Sequence, residues 1–377
     1  MIVAIGLATV IISFLIMRGF QATVENKVYS FNGHLTITKY TMNYSEEQPM
    51  NYFIDVHTQP DGYPYVRHTQ EYAYKPGLIK SEEDVLGIVM KGVGRSYDSS
   101  SFNENIVEGR FLHLPDSGYA NEVIISRIIA NKLEAKLGDN IITHFFQNPP
   151  RSRRLKVAGI YETNLAEYFD SNFIIADIRL IQRLNDWSDS LAGGLEVFVR
   201  DPVNVDEVGY AIAEKMDFDL KIESVRDKYI QVFEWLNLLS RQVNILLGII
   251  LIVVSVNIVS IVLILVMERT QMIGMLKALG AGNQFIRKIF IYSGVNLIVK
   301  GLLFGNLLGL GLCFLQYQFK LVKLNPHDYY MSFVPISWEW DIVIILNICT
   351  LLIVSIVLLL PTMVIARINP IKAIRFD

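Results

Sequence analysis

A run of 25 residues without a charged side chain, 243–267, is the feature that most limits how this chain can fold. At 1.5 Å per residue, a helix over this run is about 37 Å long, which is enough to cross a hydrocarbon core of about 30 Å. Two further runs, 301–319 and 342–366, are also uncharged and long enough. A buried helix of a soluble protein would be shorter and would carry a polar stripe. The chain is therefore predicted to span a membrane.

A fourth apolar run, 2–17, ends at Arg18. A signal peptide is the alternative to a span, but no basic region precedes the run and no small-residue cleavage site follows it. We therefore expect a first transmembrane helix over residues 1–25, with its cytoplasmic start missing.

The basic residues of the connecting segments predict the orientation. The segment 268–288 carries four Lys and Arg, the tail 367–377 carries three, and the loop 320–341 carries two. By the positive-inside rule, the first two segments and both termini are cytoplasmic. The large segment 26–224 then lies outside, between spans one and two.

The charge of the chain is divided in the same way. Residues 19–241 carry 23 Lys and Arg against 32 Asp and Glu, a net charge of −9, whereas the rest of the chain has a net charge of +6. Within 33–225, strand-like and helical patterns alternate, as in a mixed α/β domain. The Tyr-rich stretch 40–75 has no clear periodicity. The predicted strands cover 34–38, 122–126, 140–145, 154–160, 172–176 and 195–199, and the predicted helices cover 127–137 and 203–216.

The predicted fold class is an α-helical membrane protein with four transmembrane helices and a large mixed α/β extracytoplasmic domain between helices 1 and 2. The predicted segments are transmembrane helix 1 (1–25), the extracytoplasmic domain (26–224), a stalk with transmembrane helix 2 (225–267), a cytoplasmic loop (268–288), transmembrane helix 3 (289–319), an extracytoplasmic loop (320–341), transmembrane helix 4 (342–366) and a cytoplasmic tail (367–377).

The segment before the second span has the pattern of an amphipathic helix. Its apolar residues are spaced 4, 3, 4, 3 and 4 apart, and no proline separates them from the span. One helix over 225–267 would be about 64 Å long. We expect either a rigid rod that transmits motion across the membrane surface or a passive anchor. The apolar positions are Val225, Tyr229, Val232, Leu236, Leu239 and Val243.

The third span contains Gly301, Gly305 and Gly309, four residues apart. This spacing allows a second helix to approach closely, so these glycines are predicted helix-packing residues. Lys300 directly precedes them. Its side chain either extends to the membrane interface or is a buried functional charge.

The loop 268–288 has apolar side chains at helical spacing. Gly280-Ala281-Gly282 would end a short helix, and Asn283 could cap the next one. Such a helix suits the groove of a partner protein, although the same face could lie on the membrane surface. The apolar side chains are Met272, Met275, Leu276 and Leu279.

The sequence contains no motif for catalysis or metal binding. It has no Gly-Lys dipeptide and hence no P-loop, no H-E-x-x-H and no G-x-S-x-G. The two cysteines, Cys313 and Cys349, lie within spans. The basic cluster at 151–154 could bind an anion, but a solvated hairpin suits an acidic domain better. We therefore predict no catalytic residue, no metal, no cofactor and no nucleic-acid partner for this chain.

Several segments resemble FtsX-type permeases, the membrane subunits of type VII ABC transporters. MERTQMIGMLKALGAGNQFIRKIFI (267–291) resembles their coupling-helix signature, and ARINPIKAIRFD (366–377) resembles their C-terminal pattern. VEGRFL (107–112) and NEVIISRIIANKLEAKLGDNI (121–141) are similar to their periplasmic core domain, and MRGFQ (17–21) is similar to the end of their first span. HDYYMSFVPI (327–336) resembles the lipoprotein-releasing (Lol) branch.

The resemblance implies roles for particular residues. The coupling helix would contact the ATPase subunit, the tail would lie beside it, and a short hairpin at 145–154 would stand where Lol permeases contact the periplasmic carrier. The implied coupling residues are Met272, Ile273, Met275, Leu276, Lys277, Ala278, Leu279, Gly280 and Ala281; the tail residues are Asn369, Pro370 and Ile371; the candidate carrier contacts are Pro149, Pro150 and Arg151.

The resemblance also implies partners. They are an ABC ATPase dimer that binds ATP and Mg²⁺, a second FtsX-type permease (the same chain or a paralogue), membrane lipid, a lipoprotein substrate and a periplasmic lipoprotein carrier. The implied function is ATP-driven extraction of lipoproteins from the inner membrane. The alternatives are an efflux or mechanotransmission permease of the macrolide-exporter type and a cell-division-type regulator of a cell-wall hydrolase.

Overall fold

The computed structural model describes residues 2–41, 47–80, 85–165, 169–325 and 329–362. These residues form two compact units. The membrane unit comprises Met1–Thr23, Glu234–Leu324 and Phe333–Asp377, and the outer domain comprises Val24–Phe233 and Asn325–Ser332.

Among the described residues, four long helices are apolar enough to cross a membrane, over Val3–Asn32, Ile230–Glu268, Gln284–Phe319 and Trp340–Val357. Together with a mixed α/β outer domain, they confirm the predicted fold class. The helices are α1 (Ile2–Asn32), α2 (Asp55–Thr58), α3 (Ser99–Asn103), α4 (Arg127–Leu133), α5 (Ile178–Asn185), α6 (Val205–Ala213), α7 (Val225–Lys228), α8 (Ile230–Glu268), α9 (Thr270–Ala278), α10 (Asn283–Phe319) and α11 (Trp340–Thr362).

Ten strands of the outer domain form one mixed sheet, in the order β12-β1-β11-β3-β4-β9-β6-β8-β5, with β7 paired to β3 and β8. The pairs β4–β9 and β6–β8 are parallel. A small second sheet joins β10 to β2. The strands are β1 (Leu35–Lys39), β2 (Met50–Asn51), β3 (Val66–Lys80), β4 (Val85–Val93), β5 (Ile106–Gly109), β6 (Glu122–Ser126), β7 (Asn140–Phe145), β8 (Arg151–Tyr161), β9 (Phe173–Asp177), β10 (Leu191–Ala192), β11 (Gly194–Val199) and β12 (Leu220–Ser224).

Helices α4 and α5 pack on one part of this sheet, and α6 packs on β1 and β11. Side-chain caps fix where two of these helices begin. Ser126 Oγ accepts a hydrogen bond from the Ile129 amide at 3.0 Å, and Asp177 Oδ1 accepts one from the Arg179 amide at 3.0 Å. Both caps satisfy amides that have no partner within the helix.

The boundaries of the stalk, of α10 and of α4 differ from the sequence-based expectation. The stalk is not one helix from residue 225 to 267, because Tyr229 leaves helical geometry between α7 and α8, with φ −113° and ψ 39°. Helix α10 begins at Asn283, preceded by Gly282 as its N-cap residue, so Asn283 does not cap it. The predicted helix 127–137 ends at Leu133, where Glu134 takes the left-handed conformation.

The sequence patterns did not predict the hairpin of β3 and β4. Most of β3 lies within the stretch 40–75, which has no clear periodicity. The strands of this hairpin bury polar side chains, among them Gln70, Glu71 and Lys91, so the alternation of polar and apolar residues that marks a strand is lost.

Candidate functional site

Helix α9 lies between the second and third spans and is the segment that the resemblance identifies as a coupling helix. It ends at Ala278, and the chain then turns through Gly280 at φ +89°. Glycine adopts this conformation without steric cost. The Ala281 amide donates to the Leu276 carbonyl at 2.9 Å, so the turn into α10 is closed by backbone hydrogen bonds.

One face of α9 packs inside the membrane unit. Ile273 is completely buried, in an apolar cluster with Val266 and Ile286, and Met272 and Leu276 pack partly against this cluster. The sequence analysis placed Ile273 among the residues that contact an ATPase. Its side chain is enclosed by the chain's own helices, so it supports α9 from inside and faces no partner.

The opposite face of α9 is exposed. The exposed fraction is 58% for Met275 and 85% for Leu279, and Ala278 is also exposed. Because these residues are three and four positions apart, they share one side of the helix. We call Met275, Ala278 and Leu279 the α9 outer face.

The three glycines of α10 face α1. A methyl group added at Gly301 would lie 2.9 Å from Val3 Cβ, one at Gly305 would lie 2.9 Å from the Ala4 carbonyl oxygen, and one at Gly309 would lie 3.1 Å from Ala8 Cα. Any larger residue would therefore separate the two helices. Gly311, on another side of α10, has open space around it.

Helix α10 also contacts α11 through a pair of amides that the sequence analysis did not identify. Asn306 Nδ2 donates to Asn347 Oδ1 at 2.6 Å, and Asn347 Nδ2 donates to Asn306 Oδ1 at 2.9 Å. The signal in the sequence that could have indicated this contact is an asparagine in each of two uncharged runs. Such reciprocal amides stabilise helix pairs in lipid.

Helices α1 and α8 contact each other near the end of the membrane unit. The rings of Phe20 and Trp235 meet edge to face with centroids 5.6 Å apart, and Gln21 hydrogen-bonds to Ser240. Both helices continue along the chain into residues of the outer domain, α1 to Asn32 and α8 from Ile230.

Within the outer domain, a buried ion pair holds the end of α1. Lys91 Nζ of β4 lies 2.6 Å from Glu196 Oε1 of β11, and both side chains are fully buried. Lys91 also donates to the carbonyl of Phe31 in the last turn of α1, while Gln70 donates to Glu196 Oε2 at 2.6 Å. Burial lowers the pKa of Lys91, and the Glu196 carboxylate opposes this.

The last residue of α1 is held by two tyrosines. Tyr229 donates to Asn32 Oδ1 at 3.1 Å and Tyr74 donates to the same atom at 3.4 Å. Tyr229 is the residue at which α7 and α8 are interrupted, so the ends of the two long helices share one hydrogen-bonded group in the outer domain.

A second acid, the partly buried Glu47, lies beside this group. Its carboxylate accepts a hydrogen bond from the Tyr74 amide at 2.7 Å. Burial raises its pKa to about 8, against the opposing effects of that amide, Lys228 and Lys75. Burial also lowers the pKa of Lys228, which the carboxylates of Glu196 and Glu47 oppose.

The hairpin loop between β7 and β8 contains the candidate carrier contacts. Pro149 and Pro150 are exposed. Arg151 instead binds α5: it pairs with Asp186 at 2.8 Å and donates to the carbonyls of Arg183 and Leu184 at 2.9 Å each. Its guanidinium therefore fixes the hairpin to its own domain.

Two groups of predicted residues lie outside the described part of the chain. They are the tail residues Asn369, Pro370 and Ile371, and the His327-Asp328 portion of the Lol-like stretch. Among the described residues, no three His, Cys, Asp or Glu side chains are grouped so that they could hold a metal ion.

Two family models match the chain. The FtsX-like permease C-terminal model matches residues 244–370, which contain α9, α10 and the described part of α11. The MacB-like periplasmic core domain model matches residues 1–215, more than half of the chain.

The relatives include a "Lipoprotein-releasing system transmembrane protein LolC" of Xylella fastidiosa, 21% identical over 100% of this chain and 92% of its own length. A "Lipoprotein-releasing system transmembrane protein LolE" of Haemophilus influenzae is 20% identical over 91% of this chain and 85% of its own. Among solved structures, the periplasmic region of MacB from Actinobacillus actinomycetemcomitans matches with a TM-score of 0.37 and 15% identity, covering 53% of this chain and 92% of its own.

The family matches include residues of both units, and several relatives that match over nearly the whole chain are named as lipoprotein-releasing proteins. The chain belongs to the FtsX-like ABC transporter permeases with a MacB-like periplasmic core domain.

Proposed function

We propose that this chain is the permease subunit of an ABC transporter that extracts lipoproteins from the inner membrane and passes them to a periplasmic carrier. A partner ATPase dimer supplies the energy, and a second FtsX-type permease, either the same chain or a paralogue, completes the complex. The relatives named as lipoprotein-releasing proteins over nearly their whole length support this substrate class.

The α9 outer face is the observation that carries the proposal. Helix α9 is fixed on one side by Ile273 and presents Met275 and Leu279 on the other. A short helix with one anchored face and one exposed apolar face suits the groove of a cytoplasmic ATPase. In this arrangement α9 lies in the cytoplasm, as do both termini, and the outer domain lies in the periplasm.

Two long helices could carry the motion of α9 to the outer domain. Helix α8 has 39 residues and α1 has 31, so their lengths are about 58 Å and 46 Å. Both exceed the hydrocarbon thickness of about 30 Å. Helix α8 leads toward α9 at one end and reaches the Tyr229 interruption at the other. The chain then acts as a lever that is driven at α9.

The energetics explain why extraction needs ATP. Each methylene group that leaves the bilayer costs about 0.8 kcal/mol. A lipoprotein with several long acyl chains is therefore held far too firmly for spontaneous release. The candidate carrier contacts are Pro149 and Pro150, which are exposed on the β7–β8 hairpin, with Arg151 fixing that hairpin in place.

The substitution Leu279→Asp tests the α9 assignment. We expect it to abolish co-purification of the chain with an ATPase subunit, because a carboxylate cannot enter an apolar groove without a large desolvation cost. Leu279 is a better choice than Leu276, which packs partly against the core of the membrane unit. Phe218→Asp is the matched control, since Phe218 is fully exposed in the outer domain.

The outcomes separate the parts of the proposal. A complex that survives Leu279→Asp contradicts docking at the α9 outer face. Loss of the complex with both variants points to general damage of the chain. If the complex forms but depletion of the chain in cells leaves outer-membrane lipoproteins correctly sorted, the substrate assignment is wrong and an efflux or cell-division role takes its place.

A further inference from the structure

Three polar side chains follow one another along the exposed side of α10. Tyr292, Asn296 and Lys300 are four residues apart and therefore lie on one stripe of the helix. All three are exposed, Tyr292 by 79% of its surface. Nearer the C-terminal end of the helix, exposed side chains such as Leu303 and Leu307 are apolar. We call Tyr292, Asn296 and Lys300 the α10 polar stripe.

The position of the stripe along α10 matches the headgroup layer of a bilayer. Lys320 ends the helix, and the twenty residues from Lys300 to Lys320 span about 30 Å, which is the thickness of the hydrocarbon core. With Lys320 at one boundary, Lys300 lies at the other, on the α9 side. Asn296 and Tyr292 then lie about 6 and 12 Å further out, where lipid phosphates and interfacial tyrosines are found.

The Lys300 side chain extends toward the same layer. Side chains of an α-helix tilt toward its N-terminus, and the N-terminus of α10 is the end that adjoins α9. The ammonium group therefore extends along the stripe toward Asn296. Lysine extends in this way to keep its charge near water and phosphate.

The apolar runs of the sequence contain no acidic residue that could pair with this lysine inside the hydrocarbon core. The sequence has no Asp or Glu from Arg269 to His327, and none in the apolar runs of the other three spans. The segment from Arg269 to Lys300 instead carries five Lys and Arg. With Glu268, which directly precedes it, the segment has a net charge of +4, and a net positive charge attracts anionic headgroups more than zwitterionic ones.

We propose that the α10 polar stripe binds the headgroup of an acidic phospholipid in the leaflet on the α9 side of the membrane. Lys300 pairs with the phosphate, and the Asn296 amide and Tyr292 hydroxyl donate hydrogen bonds to its oxygens or to the glycerol. The site adjoins the segment that leads into α9, so the bound lipid stabilises that part of the membrane unit.

The test uses the full chain, purified in detergent, with native mass spectrometry to count bound lipids. Phosphatidylglycerol is added to the wild type, to Lys300→Gln and to the control Lys323→Gln, an exposed lysine beyond the other end of α10. We expect Lys300→Gln to bind phosphatidylglycerol about fivefold more weakly, and the control to bind it as the wild type does. Phosphatidylethanolamine binding should not differ among the three.

Two further variants guard against a folding defect. Lys300→Arg keeps the charge and should keep most of the binding, whereas Asn296→Leu should weaken it while Lys300 is intact. Equal binding of phosphatidylglycerol by the wild type and Lys300→Gln would overturn the proposal. Competition by inorganic phosphate at the same concentration as lipid would also overturn it. A third contrary outcome is that Lys300→Gln binds lipid unchanged but loses a co-purifying protein subunit, since a partner helix would then occupy the stripe.

Discussion

The outer domain and the membrane unit differ in which polar side chains they bury. Among the described residues, the outer domain fully buries charged side chains, including Lys91 and Glu196, whereas the buried polar side chains of the membrane unit are uncharged, such as Gln316 and Thr350. A folded sheet can surround an ion pair with several hydrogen-bond partners, which offsets the cost of removing it from water. Lipid offers no such partners, so close backbone contact and paired amides replace charge there.

The two units also hold helix α1 by different kinds of contact. In the outer domain, the Lys91–Glu196 pair contacts the end of α1 through the Phe31 carbonyl. In the membrane unit, α1 is held by the glycines of α10. One helix is therefore held by charge at one end and by steric fit at the other, and each type of contact can be disturbed separately.

The largest effect is expected from Lys91→Met. Glu196 would remain buried without its cation, which typically costs about 3–5 kcal/mol. Hydrogen exchange of β4 and β11 in the full chain should therefore accelerate strongly, while exchange in α10 should not change. The double variant Lys91→Met, Glu196→Gln removes the unpaired charge and should recover much of the loss. Equal exchange in the single variant and the wild type would show that the pair does not hold the sheet.

An intermediate effect is expected from Gly305→Val. The added side chain meets the Ala4 carbonyl oxygen, part of the α1 backbone, so the helices must separate. Overpacking of this kind costs about 1–3 kcal/mol. The melting temperature of the purified chain should fall, whereas Gly311→Val, with open space around it, should leave it nearly unchanged. Similar values for both variants would mean that α1 does not pack on this face of α10.

The smallest effect is expected from Glu47→Gln, because solvent reaches part of this side chain and screens its charge. The effect depends on pH. The pKa of Glu47 is raised to about 8 in the folded protein, so the wild type loses stability as pH rises from the ordinary range of a glutamate toward pH 8. The slope is at most about 1.4 kcal/mol per pH unit. The glutamine keeps an acceptor for the Tyr74 amide but does not ionise.

We therefore expect the variant and the wild type to melt at the same temperature near pH 4, and the variant to melt higher at pH 8. The melting temperature of the full chain across this range measures the difference. A wild type whose stability does not fall relative to the variant would show that Glu47 is solvated.

Sequence patterns predicted the membrane unit better than the outer domain, because the contacts that lipid requires are local in sequence and the polar contacts of the outer domain are not. Uncharged runs, the Gly301–Gly309 spacing and the short α9 segment are local signals that lipid makes obligatory. The Lys91–Glu196 pair joins residues 105 positions apart, and no local pattern relates them. The β3–β4 hairpin escaped notice because its strands bury charged and polar residues that normally indicate a surface.

The candidate site was predicted as a segment but not by face. Helical spacing alone could not distinguish Ile273, which packs inward, from Met275 and Leu279, which are exposed. That distinction depends on where α8 and α10 lie around α9. The break at Tyr229 was hidden similarly, because the residue itself fits the apolar seam and its backbone geometry is set by tertiary contacts, including the hydrogen bond to Asn32.

The most direct test of the lever is to interrupt α8 without touching either of its ends. Asn237 is exposed within α8, and Asn237→Pro removes a helical hydrogen bond and bends the helix, with Asn237→Ala as the control. The complex with its ATPase is placed in proteoliposomes with a fluorescent lipoprotein, and ATP hydrolysis and ATP-dependent lipoprotein release are measured together. The account predicts that Asn237→Pro still assembles and hydrolyses ATP but loses release, whereas release at the level of the Asn237→Ala control would contradict it.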